Sequence, residues 1–263
     1  MLRPISTSHV LHVVFANRRR WVRGCLASLS AVAVFALAVP AFATSGDYFV
    51  GASWWPGVAT QIEGTTADIG TDNPVVKDTR SAAWTLVGDG SKYLLQDGWY
   101  KTYQDASPYY FWEYGDASSA PQVFPGSPQP GSSSHVYTDV LTDPVWSGST
   151  LVSGTWNFEV DYVTLEQSTS ILFTPAGVED MGEVRDTNDQ SPGGYSTGEQ
   201  IQFSSVEYDD PSGWTTLTSS QLTYEGNAGP GDGPCGTTSG SDSYQYCYYS
   251  SSSFSIWDSR YSS

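Results

Sequence analysis

Histidine is nearly absent from this sequence. There are three, and two of them, His9 and His12, lie in an N-terminal stretch that reads as a leader. With His135 left alone, a His-rich zinc site is unavailable, and any Ser-His-Asp chemistry would have to use that one imidazole. No Gly-x-Ser-x-Gly elbow accompanies it, so His135, with Asp139 and Asp143 near it in the chain, reads as a solvated histidine. Lysine is scarce too. Lys77, Lys92 and Lys101 are all there is for Schiff-base or phosphate-loop roles. Eleven basic residues face 28 acidic ones, and five of the eleven (Arg3, Arg18, Arg19, Arg20 and Arg23) lie in the leader. Six against 28 then remain, a formal charge of −22. Such a surface repels phosphate backbones, which excludes a nucleic-acid partner, and it disfavours anionic lipid. Beyond the leader no apolar run reaches the ~20 residues needed to cross a bilayer, so no membrane span is expected.

The leader itself has three parts. Arg18-Arg19-Arg20 and Arg23 form a charged region, Leu26 to Val39 an apolar one, and Ala41-Phe42-Ala43 a small-x-small cleavage site. That is the pattern of a secretory signal peptide over 1–43, with an Arg-rich start that resembles a loose twin-arginine signal but reads more simply as an ordinary Sec one. Residues 44–263 then form the mature chain, which is expected to be secreted and extracellular. Of three cysteines, Cys25 precedes the apolar run and is not a lipoprotein cysteine. Cys235 and Cys247 remain, and in an oxidising exterior two cysteines most simply pair. No Cys/His cluster points to a metal, and acid groups such as Glu207, Asp209 and Asp210, or Glu179, Asp180 and Glu183, read as solvated charge without an EF-hand pattern.

The mature length fits one domain, expected to be a monomer. Its hydrophobic period is two. Trp156, Phe158, Val160 and Tyr162 alternate with Asn157, Glu159 and Asp161, which predicts a strand over Thr155–Val163 with one wet face. Val58, Thr60 and Ile62 alternate with Gln61 and Glu63, and Ala82-Trp84-Leu86 is another such set. Gly88-Asp89-Gly90 predicts a hairpin turn into Tyr93–Gln96. Further strands are predicted at Pro108–Tyr114, His135–Leu141, Thr169–Phe173, Glu179–Asp186 and Gln200–Tyr208. Gly115–Ser134 and Gly226–Gly240 read as loops, and the Ser-rich end after Ser250 as weakly packed. No amphipathic helix of ordinary length is present, and the wealth of Ser, Thr, Gly, Tyr and Trp favours strands and turns. The expected fold is all-β: two packed antiparallel sheets, a sandwich or jelly roll.

Aromatics crowd the first half of the mature chain: Trp54-Trp55, Trp84, Trp99-Tyr100 and Tyr109-Tyr110-Phe111-Trp112. Tyr109–Trp112 is aromatic on both faces of its strand, one for the core and one able to line a groove for a sugar or a peptide. A jelly-roll glycosidase would carry Glu-x-Asp-x-x-Glu on one strand. The nearest match, Glu159-Val160-Asp161, ends on Thr164 where the third acid should stand, so that pattern fails.

Ser81-Ala82-Ala83-Trp84-Thr85-Leu86-Val87-Gly88-Asp89-Gly90, followed by Tyr93-Leu94-Leu95-Gln96-Asp97-Gly98, resembles the first active-site hairpin of the glutamic peptidases, the eqolisins. In that family a Ser-Ala-Trp-Val-Gly-like strand leads to an aliphatic-Leu-Gln-x-Gly segment whose Gln is catalytic. A Tyr/Trp/Glu-rich strand follows, as Tyr109-Tyr110-Phe111-Trp112-Glu113-Tyr114 does here. Next come a strand bearing the catalytic Glu, matched by Met181-Gly182-Glu183-Val184, and a Phe-x-x-Val-x-Phe strand, matched by Ile201–Tyr208. The resemblance spans Ser81 to Tyr208 and is to a distant, bacterial-type member. It departs from the family at Val184, where a Trp follows the catalytic Glu, and in lacking nearby cysteines. It implies a concanavalin-like β-sandwich and an acid-acting endopeptidase with Gln96 and Glu183 as the catalytic pair and Arg185 beside Glu183. Trp84, Tyr100, Tyr110 and Trp112 would form the substrate surface, the partner would be a polypeptide, and no cofactor or metal would be needed. A carboxyl can activate water and then protonate the leaving amine, while a side-chain amide holds the water and donates N–H to the oxyanion. The alternative is a non-catalytic secreted sandwich that binds a cell-surface glycan or a protein through an aromatic face.

Overall fold

The computed structural model describes residues 48–116, 120, 122–128, 133–169, 171–186, 188–194, 199–226, 245–250, 252–258 and 260–261. The proposed leader and Cys235 lie outside these residues. Of Cys247 only the backbone is described, so the proposed cysteine pair falls outside as well.

Among the described residues the chain is all strand and turn. One sheet has seven strands in the order β13-β1-β10-β3-β4-β5-β6. These are β1 (Tyr48–Trp54), β3 (Arg80–Gly88), β4 (Tyr93–Thr102), β5 (Tyr109–Asp116), β6 (Gln122–Pro128), β10 (Gly177–Val184) and β13 (Thr223–Gly226). The second has eight strands, ordered β14-β15-β11-β2-β7-β8-β9 with β12 beside β11. They are β2 (Gly64–Gly70), β7 (Ser134–Ser147), β8 (Thr150–Val160), β9 (Val163–Ser168), β11 (Ile201–Asp210), β12 (Gly213–Thr216), β14 (Gln245–Ser250) and β15 (Ser253–Trp257). All ladders are antiparallel. The result is the antiparallel sandwich that the period of two predicts.

The core lies between the sheets. Val50, Ala83, Val87, Leu95 and Trp99 from the first sheet meet Ile69, Tyr137, Trp156, Phe158 and Phe203 from the second. Alternation then sends every second residue of the first sheet to its outer face, where Phe49, Ala82, Trp84, Leu86, Leu94, Phe111 and Met181 form a separate apolar cluster. A sheet with apolar residues on both faces buries its strands almost completely, as β3 and β10 show, where only Arg80 and Glu183 are partly exposed.

The β3–β4 hairpin forms where Gly88-Asp89-Gly90 predicts it. Gly90 has φ +72, and Asp89 Oδ1 accepts from the backbone N–H of Ser91, Lys92 and Tyr93 at 2.7–3.0 Å, closing the turn. Five segments differ from expectation. Val58–Glu63 is a turn and a short coil, because Gly57 (φ +90) bends the chain and Gln61 Nε2 donates to the Gly148 carbonyl. The strand over 155–163 ends at Val160, since Asp161 and Tyr162 take positive φ and make a two-residue hairpin into β9. That β9 replaces a strand over Thr169–Phe173, which leaves Ile171 and Phe173 buried on irregular backbone. The Gly115–Ser134 stretch contains β6, whose Phe124 packs on Trp112. The Ser-rich end is not weakly packed: Phe254 and Ile256 of β15 are fully buried, and Phe254 stacks on Phe203 at 4.7 Å.

Candidate active site

The strand registers set the outer face of the first sheet in rows. One row runs Ser53–Glu179–Leu86–Gln96–Glu113 across β1, β10, β3, β4 and β5. The next runs Gly51–Met181–Trp84–Gly98–Phe111, and the one after it Phe49–Glu183–Ala82–Tyr100–Tyr109. Gln96, Glu183, Trp84 and Tyr100 therefore stand on one face. Gln96 and Glu183 line one pocket with Arg80, Trp84, Tyr100 and Phe111. Tyr100 meets Phe111 edge-on at 5.6 Å. Gly98 keeps this wall low: a Cβ there would meet the Ala83 carbonyl and come within 2.9 Å of Trp84 Cβ.

Tyr110 and Trp112 are not part of that surface. Alternation turns both inward, where Trp112 packs on Phe158 at 5.2 Å and Tyr110 on Tyr137 at 5.9 Å. The Tyr110 hydroxyl lies 3.2 Å from His135 Nδ1, and burial first, then the Asp161 charge, pushes the phenol up to about 12. His135 in turn bonds Asp161 at 2.6 Å rather than Asp139 or Asp143. Neither the Tyr110 hydroxyl nor the imidazole reaches the outer face.

Glu183 pairs with Arg80 of β3, Nη2 to Oε1 at 2.8 Å. It lies two rows from Gln96. Four residues along a strand and two strands across put their Cα atoms roughly 16 Å apart, against roughly 10 Å for Glu179, which shares the row of Gln96 with only Leu86 between. On the other side of Gln96 is Glu113, whose Oε2 accepts from Gln96 Nε2 at 3.2 Å. Glu179 is 1% exposed, and Gln96 and Glu113 are 8% exposed. The sequence does not single out Glu113, and it marks Glu179 only as solvated charge. The alternation Glu179, Met181, Glu183 puts both glutamates on one face, but which of them lies opposite Gln96 depends on two registers, the β3–β4 hairpin and the long-range β10–β3 pairing.

A second polar layer lies directly beneath. Each residue of the Gln96 row has a neighbour in the chain facing inward, and these form the row Asp180–Thr85–Asp97. Opposite it, Thr65 and Asp139 pair on the second sheet, and the Thr65 and Thr85 hydroxyls bond at 3.1 Å between the sheets. Asp97, Asp139 and Asp180 are all closed to solvent. Asp180 and Glu179 are thus buried, not the solvated acids the sequence suggests. Burial pushes Asp180 up to about 8, with the Thr85 hydroxyl offsetting it in part. Burial first drives Asp97 and Asp139 well above the usual carboxylate range; for Asp97 the Thr138 N–H offsets this in part while the Glu159 and Asp180 charges add to it, and for Asp139 the Asp97 charge adds to it. Among the described residues no group of three His, Cys, Asp or Glu side chains is placed to hold a metal ion.

No family model matches the chain, and no curated protein matches it. Solved structures do. A scytalido-glutamic peptidase with a peptide-based transition-state analogue superposes with a TM-score of 0.51 at 11% identity, covering 81% of this chain and 98% of that one. SCP-B, a member of the eqolisin family of peptidases solved with the tripeptide Ala-Ile-His, gives 0.50 at 12% identity over the same shares. The chain has a glutamic-peptidase-like fold. At such identity the likeness is one of fold, and activity has to be argued from the side chains above. No helix among the described residues is long and apolar enough to cross a membrane.

Proposed function

We propose that this chain is a secreted, acid-acting endopeptidase in which Gln96 and a glutamate of β10 activate water for peptide hydrolysis. The observation that carries this reading is the row itself: an amide and a carboxyl group on one face, roughly 10 Å apart at Cα, with an apolar leucine as the floor between them. Side chains of that length can hold one water from both sides. Glu179 is accordingly assigned as the acid/base. Its carboxylate takes a proton from water as the oxygen attacks the scissile carbonyl, and Gln96 donates N–H to the developing oxyanion. The carboxyl then returns the proton to the leaving nitrogen as the C–N bond breaks. A second reading keeps Glu183 in that role. It is favoured by the pocket that Glu183 shares with Gln96, and opposed by an oxygen already committed to Arg80. Trp84, Tyr100 and Phe111 supply the apolar wall for substrate side chains. The rival glycan-binding reading loses Tyr110 and Trp112 to the core.

Cleavage of a peptide library from pH 2 to 7 by the mature protein tests this. Glu179→Gln should lower turnover by ~10²–10⁴-fold and Gln96→Ala by ~10²–10³-fold, while Glu183→Gln stays within a few-fold of wild type. The opposite order of the two glutamates transfers the role to Glu183. No cleavage by the wild type at any pH refutes the peptidase and leaves a binding sandwich.

A further inference from the structure

We propose that Glu113 is a positioning residue for Gln96: by accepting one N–H of its side chain, it fixes which end of the amide faces the reacting water. This rests on the catalytic reading of Gln96 and adds to it the group that orients that amide.

Four positions border Gln96 most closely on its face. Leu94 and Gly98 flank it along β4, Leu86 pairs with it from β3, and Glu113 pairs with it from β5. Three of these have no polar side-chain atom, so Glu113 is the adjacent side chain able to bias the amide. The bias is needed. The last torsion of a glutamine is broad and nearly two-fold, so an unrestrained amide samples both orientations. The Glu113 oxygen that faces the amide accepts, which selects the orientation with Nε2 toward it. The 3.2 Å contact is that orientation. Nε2 has two hydrogens. With one held by Glu113, the second remains for the oxyanion, and Oε1, on the other limb of the amide, is left to accept from water. The opposite orientation would turn the carbonyl oxygen toward the carboxylate and misplace both contacts. Glu113 is itself held firmly: Trp112 and Tyr114, its neighbours in the chain, stack on each other at 5.3 Å with an interplanar angle of 3°, and both pack inward on the core.

The test uses Glu113→Leu and Glu113→Gln, each alone and combined with Gln96→Ala. kcat and KM are measured on a cleaved peptide at the pH of maximal rate. Glu113→Leu should lower kcat by up to ~10²-fold with little change in KM, the scale expected for a misplaced catalytic group. Glu113→Gln should recover most of that loss, since its carbonyl can still accept from Nε2. In the Gln96→Ala background Glu113→Leu should cost nothing further. A loss that multiplies in that background, or that appears in KM, would mean a structural role and overturn the proposal. The side-chain NH₂ resonances of Gln96, identified by their absence in Gln96→Ala, give a readout independent of activity. They should move in Glu113→Leu, and unchanged resonances overturn the proposal whatever the kinetics. If the resonances move but Gln96→Ala cleaves at the wild-type rate, the catalytic reading of Gln96 has failed instead, and the positioning role falls with it.

Discussion

Replacing Asp180 by Asn should convert a protein that weakens as pH rises into one that weakens much less. Asp180 is fully enclosed between the sheets, and its carboxyl is pushed from 3.8 to about 8. In the unfolded chain the same group loses its proton near pH 4. Between these values the folded state holds a proton that the unfolded state does not, so raising the pH favours unfolding. The stabilising effect of the neutral carboxyl is fully present below about pH 4 and is lost as pH rises toward about 8. Four pKa units at ~1.4 kcal/mol each amount to on the order of 6 kcal/mol, comparable to the whole stability of a typical domain at ~5–15 kcal/mol. Asn cannot ionise and matches the neutral carboxyl in shape. Urea unfolding followed by tryptophan fluorescence, with Trp99 and Trp156 fully buried as reporters, measures both proteins from pH 3.5 to 8. The variant should match wild type within ~1 kcal/mol at the acid end and exceed it by several kcal/mol at pH 8. It should keep the residual slope that Asp97 and Asp139 supply with the same sign. Parallel curves for the two proteins would show that Asp180 is hydrated or paired when charged, and would refute the reasoning.

Phe254→Ala should cost ~3–5 kcal/mol in the same urea assay at acid pH, because the ring is fully buried, stacked on Phe203 and edge-on to Tyr224. A loss below ~1 kcal/mol would place β15 outside the cooperative core. Intact-mass measurement of the secreted protein with and without reductant should show a chain beginning near Thr44 with Cys235 and Cys247 joined. Two free thiols, or residues retained before Ala43, would count against that reading.

Sheet class and hairpin chemistry were legible because both are local. Alternation in Thr155–Val160 and the Gly88-Asp89-Gly90 turn need no knowledge of partners. Strands with few apolar residues were hidden: β6 is interrupted by Pro125, and β15 offers only Phe254, Ile256 and Trp257 in a run of serines. Asp180 reads as solvated charge in the sequence, although it shares its face with the buried Val178 and Val184. Asp97 and Asp139 were not singled out as buried, yet Asp97 lies between Leu95 and Trp99 on its face, and Asp139 between Tyr137 and Leu141, so parity already marks both as inward. Gln96 stood out through its hairpin and Glu183 through its strand. The proximity of Glu113 and Glu179 to Gln96 is a property of strand pairing, which no single segment carries.

Gln96-Asp97 and Glu179-Asp180 are dipeptides whose two halves belong to different layers, one on the outer face and one in the interior. A single inserted or deleted residue in β4 or β10 would exchange them, sending the amide or carboxyl into the interior and a buried acid out to the cleft. Two residues gained or lost would preserve the faces and shift only the row. What these strands specify is therefore odd-and-even placement rather than residue identity. Nearly every letter can differ while the count between positions stays fixed. Two chains can then share this sheet over most of their length at 11% identity.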